Sequence, residues 1–196
     1  MIRRSTNFYI INGLTLYRLC TAPFLIVLAV FEQFDLYKWL LLVSFLTDAV
    51  DGFFARKYKI SSAFGARIDS LADDCTVLAA ITGMCILRSS FFLSEIIPIA
   101  ILLLLYLVQN VLALLKYKRP TSFHTYTAKV AAVSQAAFLI TFFFLPCPVY
   151  WLFYLMVVLT SIDLLEEILL VMVLPDYKTN LKGLYWVLAK RNSKRA

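Results

Sequence analysis

The sequence LYKWLLLVSFLTDAVDGFFAR (residues 36–56) and the sequence ARIDSLADDCTVLAAITGMCIL (residues 66–87) decide how this chain folds. Each is an apolar run long enough to cross a bilayer, which takes about 20 helical residues. Among the carboxylates of these two runs are Asp48, Asp51, Asp69 and Asp73. A carboxylate at the centre of a membrane helix costs about 2.5–3.5 kcal/mol, so these four need a compensating charge. Their spacing indicates that divalent metal supplies it.

The composition is that of a polytopic helical membrane protein. Of 196 residues, 62% are hydrophobic, and the mean hydropathy is +0.81, whereas soluble domains are about 45–50% apolar. Six apolar runs predict six transmembrane helices, at residues 14–31, 36–56, 66–87, 93–115, 125–145 and 149–174. We therefore expect an all-α integral membrane protein with a single membrane domain over residues 1–196.

The two ends of the chain have a different composition from the spans. Residues 2–11 combine Arg3 and Arg4 with apolar side chains, which fits either an interfacial helix or a lead-in without regular structure. The basic tail, residues 178–196, contains interspersed apolar and aromatic residues. It predicts an amphipathic helix lying on the membrane surface.

The distribution of basic residues predicts the topology. The net charge is +7, but the basic residues cluster between apolar runs, which indicates contact with anionic lipid headgroups and not with nucleic acid. They concentrate at residues 3–4, 56–67, 116–119 and 178–195, and the opposite loops contain only Lys38 and Arg88. The positive-inside rule then places both termini, and a polar cavity containing the carboxylates, on the cytoplasmic side.

The spacing of the carboxylates predicts a metal centre. Asp48 and Asp51 are three residues apart and Asp69 and Asp73 are four apart, so each pair shares one helix face. A short polar link over residues 57–64 predicts antiparallel neighbouring helices whose carboxylate pairs face each other. Oxygen ligands suit Mg²⁺ or Mn²⁺. Four negative charges balance two divalent cations, the stoichiometry of a two-metal phosphoryl-transfer centre.

Neighbouring residues support the prediction of a metal centre, but each of them also has a simpler structural explanation. The small residues Gly52, Ala55 and Gly65 leave space beside the carboxylates, or allow close packing of membrane helices. Arg56 is suited to clamping a phosphate, or to anchoring the topology. An intramembrane cation transporter would also place acidic residues inside a membrane.

The pattern D-x-x-D-G-x-x-A-R-x8-G-x3-D-x3-D from Asp48 to Asp73 resembles the signature of the CDP-alcohol phosphotransferases, the class I CDP-alcohol phosphatidyltransferases. The stretch from Asn12 to Pro23 is similar to N-x-L-T-x-x-R-x4-P, a first-helix pattern of their phosphatidylglycerophosphate synthase and cardiolipin synthase branches. A cation transporter would not need Gly, Ala and Arg residues at these fixed positions around its carboxylates. The resemblance implies transfer of a phosphatidyl group from CDP-diacylglycerol to a polar alcohol, with release of CMP. The expected alcohol is glycerol 3-phosphate, and inositol phosphate or another alcohol is the alternative.

The resemblance also implies roles for single residues. The two Mg²⁺ or Mn²⁺ ions would be held by Asp48, Asp51, Asp69 and Asp73, with Asp73 also the general base. The CDP group would be held by Gly52, Ala55, Arg56 and Gly65, and the first helix would add support from Asn12, Thr15 and Arg18. Position at or just inside the cytoplasmic side, and not the resemblance, makes Arg67, Arg119, His124 and Lys129 candidates for binding the acceptor. Arg119 is alternatively a positive-inside loop residue. A homodimer in a bacterial-type inner or plasma membrane is implied as well.

Overall fold

The computed structural model is helical, and its described part contains no strand. The structure describes residues 6–58, 63–118, 123, 125–177 and 181–192. Side chains are described for residues 13–48, 50, 68, 71–118, 123, 125–177 and 181–189. The expectation of an all-α protein is confirmed over these residues.

The helices follow the apolar runs closely. Their bounds are α1 Thr6–Val30, α2 Phe34–Tyr58, α3 Ala63–Leu87, α4 Ser89–Ser94, α5 Ile96–Tyr117, α6 Tyr126–Phe144, α7 Tyr150–Val173 and α8 Leu184–Asn192. Six of these, all except α4 and α8, correspond one to one to the six predicted helices. Helices are favoured here because an apolar segment in lipid must satisfy its backbone N–H and C=O groups internally.

Three helices of the described part are long and apolar enough to cross a membrane: Gly13–Val30 within α1, Ile96–Tyr117 and Tyr126–Phe144. The other long helices, α2, α3 and α7, have 25, 25 and 24 residues. Asp48 and Asp51 lie in α2, Asp69 and Asp73 in α3, and Asp163, Glu166 and Glu167 in α7. Helices able to span a membrane are therefore present in the described part, while the arrangement of six spans around a cytoplasm-facing cavity stays a prediction.

Residues 6–11, the described part of the segment 2–11, belong to the first long helix, and residues 2–5 lie outside the described part of the structure. Helix α1 begins at Thr6 rather than at residue 14, so residues 6–11 are the first turns of the same helix. A continuous helix satisfies backbone groups that a lead-in would leave to water. At the other end, α8 covers Leu184–Asn192 of the predicted amphipathic tail.

The described residues fall into two compact units, Met1–Ser94 and Glu95–Ala196. The single domain expected from the sequence stays a prediction. In the first unit α1 packs along both α2 and α3, whereas α2 and α3 share a much smaller contact with each other. The expected direct pairing of α2 with α3 is thus a minor contact, because α1 supplies the main packing surface of both.

Each of the three long helices of the first unit buries one face. Residues spaced three or four apart form these faces: Thr15, Arg18, Ala22, Leu25 and Ala29 on α1, Tyr37, Leu41 and Ser44 on α2, and Thr76, Ala80 and Met84 on α3. Such spacing places side chains on a common side of a helix. Small residues on these faces allow helices to approach closely.

Gly83 shows how close this packing is. The Tyr37 side chain is completely buried, and its hydroxyl donates a 2.9 Å hydrogen bond to the Ala79 carbonyl oxygen. A Cβ atom added at Gly83 would lie 2.1 Å from the Tyr37 hydroxyl oxygen and 2.3 Å from its Cζ atom. The ring can therefore reach α3 only because residue 83 has no side chain.

We expect Gly83→Ala to lower the free energy of unfolding by about 1–3 kcal/mol, because the new methyl group overpacks the α2–α3 contact. Thermal unfolding of the detergent-solubilised protein measures this loss. The matched control is Gly13→Ala, since a Cβ added at Gly13 meets nothing within 4 Å. The control should be neutral or stabilising by up to about 1 kcal/mol, as alanine favours helix. Equal unfolding temperatures for the two variants would contradict the packing explanation.

The second unit is organised around α7, which packs against α5 and α6. A cluster of buried residues closes the end of this unit where α5 and α7 finish and α6 begins: Ala113, Phe123, Leu170, Val171 and Leu174. Residues after α7 pack against this cluster, and the Leu181 amide donates to the Phe123 carbonyl oxygen at 3.0 Å. The segment that leads into α8 is thereby attached to the start of α6.

Candidate active site

The buried faces of α1, α2 and α3 meet in one charged cluster. Arg18 lies on the buried face of α1, three residues after Thr15. Asp48 follows Ser44 on the buried face of α2, and Asp73 precedes Thr76 on that of α3. A spacing of three or four residues continues each face. The first unit therefore brings one guanidinium and two carboxylates together from three different helices.

Both carboxylates accept hydrogen bonds from a single nitrogen atom. Arg18 Nη1 donates to Asp48 Oδ1 and to Asp73 Oδ1, the latter at 2.5 Å. The Arg18 side chain is 1% exposed, while the Asp48 and Asp73 side chains are 45% and 47% exposed. The guanidinium thus contacts the carboxylates from inside the helical packing, and each carboxylate keeps an accessible part.

The charge balance of this cluster leaves an excess of negative charge. A buried cation is tolerated when it is paired and hydrogen-bonded, and removing one partner leaves a costly uncompensated charge. Two carboxylates over-compensate one guanidinium, so the three groups have a net charge of −1. The excess negative charge of these three groups attracts a further cation.

The other predicted site residues are distributed as follows. Asp51, Gly52, Ala55 and Arg56 lie in α2, and Gly65, Arg67 and Asp69 lie in α3. Asn12 lies in α1. The side chains of these residues are outside the described part of the structure, and so are Arg119 and His124 as a whole. Their assigned roles stay predictions.

The described part of the cluster fits a divalent metal in its donor chemistry. Asp48 and Asp73 supply hard carboxylate oxygens, the ligands that Mg²⁺ and Mn²⁺ prefer. A positive group, the Arg18 guanidinium, already bridges them. No group of three or more His, Cys, Asp or Glu side chains that could hold a metal occurs among the described residues. The side chains of Asp51 and Asp69, the other two predicted ligands, lie outside those residues.

Lys129 is the one acceptor candidate whose side chain is described. It is exposed on the first turns of α6. Its Nζ atom lies 5.3 Å from the centre of the Tyr126 ring, a cation–π contact. The Lys129 side chain thus contacts a residue of its own helix, and its contribution to acceptor binding stays a prediction.

Two acidic residues of α7 contact the start of α6. Thr127 donates to Asp163 Oδ1 at 3.2 Å and also donates to Glu166 Oε2. Glu166 Oε1 in addition accepts the backbone N–H of Leu184, the first residue of α8, at 2.7 Å. Glu166 thereby links three helices of the second unit, and its contacts are those of a structural residue.

Glu167 faces another helix of the same unit. Its Oε2 atom accepts a 2.9 Å hydrogen bond from Gln109 Nε2 on α5, and Gln109 is 2% exposed. Asp163, four residues before Glu167, is joined through Thr127 to Glu166.

Arg18 is the residue whose importance the sequence understated. The first-helix pattern assigned it a supporting role, whereas the structure places it at the centre of the cluster. Its signal was present, because a lone arginine within an apolar run must find a partner. The surplus of carboxylates on α2 and α3 supplied that partner.

Long apolar helices with buried charged groups define a helical membrane protein with a carboxylate centre. Comparison with known proteins identifies the family. The model of the CDP-alcohol phosphatidyltransferase family matches residues 8–165, most of the chain, and the chain belongs to this family. The expected family and enzyme class, a transferase of phospholipid biosynthesis, are thereby confirmed.

One curated relative gives a more specific similarity. A CDP-diacylglycerol–glycerol-3-phosphate 3-phosphatidyltransferase of Cereibacter sphaeroides is 37% identical over 79 residues. The match covers 38% of this chain and 36% of the relative, little more than a third of that protein. No solved structure matches the chain.

Proposed function

We propose that this protein transfers a phosphatidyl group from CDP-diacylglycerol to glycerol 3-phosphate, giving phosphatidylglycerol phosphate and CMP. The observation that carries the proposal is the convergence of Asp48 and Asp73 on Arg18 in a chain of this family. The similarity to a glycerol-3-phosphate 3-phosphatidyltransferase supports this acceptor. Inositol phosphate or another alcohol is the alternative acceptor.

Asp73 is assigned as the general base. Its Oδ1 atom is held by Arg18 and almost half of its side chain is accessible, so a hydroxyl group can reach it. Asp73 removes the proton of the acceptor hydroxyl while that oxygen attacks the phosphorus of the phosphatidyl group. The bond from this phosphorus to the bridging oxygen breaks, and the electron pair leaves with CMP. A carboxylate is a modest base, but fixed in-line geometry supplies much of the rate.

The remaining carboxylates and their neighbours are assigned to binding. Two Mg²⁺ or Mn²⁺ ions, when bound, neutralise the pyrophosphate and the departing CMP. Their proposed ligands are Asp48, Asp51, Asp69 and Asp73, and the CDP group lies against Gly52, Ala55, Arg56 and Gly65. Arg67, Arg119, His124 and Lys129 are the proposed contacts of the acceptor phosphate.

The proposed site lies at the cytoplasmic boundary of the bilayer, with both termini in the cytoplasm. This location suits a substrate whose nucleotide is water-soluble and whose two acyl chains are not. Six spans, a cytoplasm-facing cavity and a homodimer complete the proposed arrangement. The asymmetric distribution of basic residues supports its orientation.

An acceptor panel tests the proposal. Purified protein in detergent micelles is supplied with CDP-diacylglycerol, Mg²⁺ and one alcohol at a time, and CMP release is measured by chromatography. We expect glycerol 3-phosphate to give the fastest release, with inositol phosphate, inositol and serine as comparison acceptors. Faster release with another alcohol would reassign the acceptor. Failure of every acceptor, with the protein folded, would remove the proposed activity.

A further inference from the structure

We propose that Arg18 is a positioning residue of the metal site, which holds Asp48 and Asp73 in the orientation that binds divalent cations. This inference rests on the proposed function in one respect, namely that these carboxylates are metal ligands. It goes beyond that function because it assigns a cation, a residue of the first helix, to a site otherwise built from acids on α2 and α3.

The hydrogen-bond geometry is the first argument. One atom, Nη1 of Arg18, serves the Oδ1 atoms of both carboxylates. The two oxygens are therefore fixed relative to each other, although they belong to different helices. Hydrogen bonds of this charge-assisted kind are stronger than neutral ones, and groups behind metal ligands orient them and tune their affinity.

Burial is the second argument. Arg18 is 1% exposed on the face of α1 that also buries Ala22 and Leu25 completely or nearly so. A side chain enclosed in this way cannot leave its position when a metal arrives. The carboxylates are about half exposed, so a metal approaches them from the accessible side while Arg18 remains behind them. The guanidinium therefore acts with the metal instead of being exchanged for it.

Removal of Arg18 has two opposing electrostatic effects on metal affinity. Removing Arg18 takes away a positive charge that repels a metal. It also leaves two half-exposed carboxylates, on two helices, without the donor that aligns them. We expect the loss of alignment to dominate, because a metal must then reorganise both side chains as it binds.

Manganese binding without substrate tests this directly. The full-length protein in detergent is titrated with Mn²⁺, and free Mn²⁺ is followed by its electron paramagnetic resonance signal. We expect Arg18→Gln to weaken Mn²⁺ binding about 10–100-fold, the usual cost of losing a group behind a metal ligand. Arg18→Lys keeps the charge and loses the planar fork, so it should lie between the wild type and Arg18→Gln.

The control removes a different positive charge from the same unit. Lys38 pairs with the exposed Asp35 at 2.5 Å, near the start of α2 and ten residues before Asp48. Lys38→Gln should bind Mn²⁺ as the wild type does. Size-exclusion profiles and unfolding temperatures show which variants are folded, and Arg18→Lys provides the comparison should Arg18→Gln not fold.

The possible outcomes are separable. Unchanged Mn²⁺ binding in folded Arg18 variants would overturn the positioning role and leave the proposed transferase activity standing. Tighter binding in Arg18→Gln would show that the guanidinium competes with the metal, which also overturns it. No Mn²⁺ binding by the wild type would remove the metal site itself. Weaker Mn²⁺ binding by Arg18→Gln than by the wild type, with no CMP release by the wild type, would support the role of Arg18 while the proposed reaction fails.

Discussion

Replacing Asp73 by Asn is expected to reduce CMP release at least about 10³-fold, because the same carboxylate serves as base and as metal ligand. Loss of a positioned base alone costs about 10²–10⁴-fold. Asparagine has nearly the same shape, and its side-chain oxygen can still accept the hydrogen bond that Arg18 donates to Asp73. The rate of CMP release from CDP-diacylglycerol at saturating Mg²⁺ and acceptor measures the effect.

The next residue provides a matched control for this variant. Asp74 follows Asp73 on α3, and successive helical residues point about 100° apart. Asp74→Asn removes the same charge one position away and should keep most of the activity. Comparable unfolding temperatures would show that both variants are folded. Substantial turnover by Asp73→Asn would refute the assignment of the general base.

Removing divalent cations is expected to stop CMP release completely. Asp48 and Asp73 retain a net negative charge after pairing with Arg18, and the substrate pyrophosphate is also negative. Without divalent cations the two would repel each other at the site. Activity in excess chelator, followed by titration with Mg²⁺ or Mn²⁺, measures the requirement. Ca²⁺ should restore less activity, since it prefers more ligands at longer distances than Mg²⁺.

The cation requirement also has a physical readout that does not depend on turnover. A ligand that binds the folded state alone stabilises it by about 2.7 kcal/mol at one hundred times its dissociation constant. Mg²⁺ should therefore raise the unfolding temperature of the wild type more than that of Asp73→Asn. Full activity in chelator, together with an unfolding temperature that does not respond to Mg²⁺, would contradict a metal-dependent mechanism.

The helices were predictable because the chain has few ways to satisfy apolar segments in lipid. The predicted run over residues 66–87 and the observed α3 end at the same residue, Leu87. The start of α1 was misplaced because residues before Leu14 are more polar, and hydropathy alone does not show where a helix begins. Backbone hydrogen bonding extended that helix to Thr6.

The spacing of the acidic residues predicted a carboxylate site, but it did not predict that Arg18 lies at the centre of that site. Spacing along α2 and α3 identifies faces, and it does not show which helix packs against both. That choice depends on the small and apolar residues of α1, such as Ala22 and Ala29, which are buried in the contacts. Arg18 was consequently recognised only as part of a pattern, although the structure makes it the partner of two carboxylates.

The acids of α7 show a further limit of spacing arguments. Residues three and four apart on a helix lie on neighbouring positions of its surface, so Asp163 is near both Glu166 and Glu167. The start of α6 determines which of them shares a partner with Asp163. Thr125 begins α6 by accepting the Ala128 N–H at 3.1 Å, which places Thr127 between Asp163 and Glu166. These hydrogen-bond partners depend on tertiary contacts, which the spacing of residues along one helix does not show.

Gly183 has a consequence for any shortened or fused version of this protein. Its φ of 150° is a backbone conformation that other residues rarely adopt, and it directs the amide of Leu184 onto Glu166. A deletion that begins at Gly183 would strip that donor from a carboxylate beside an apolar cluster. Residues 183–192 would then matter to the helices before them, so α8 should be kept in any shortened or fused version.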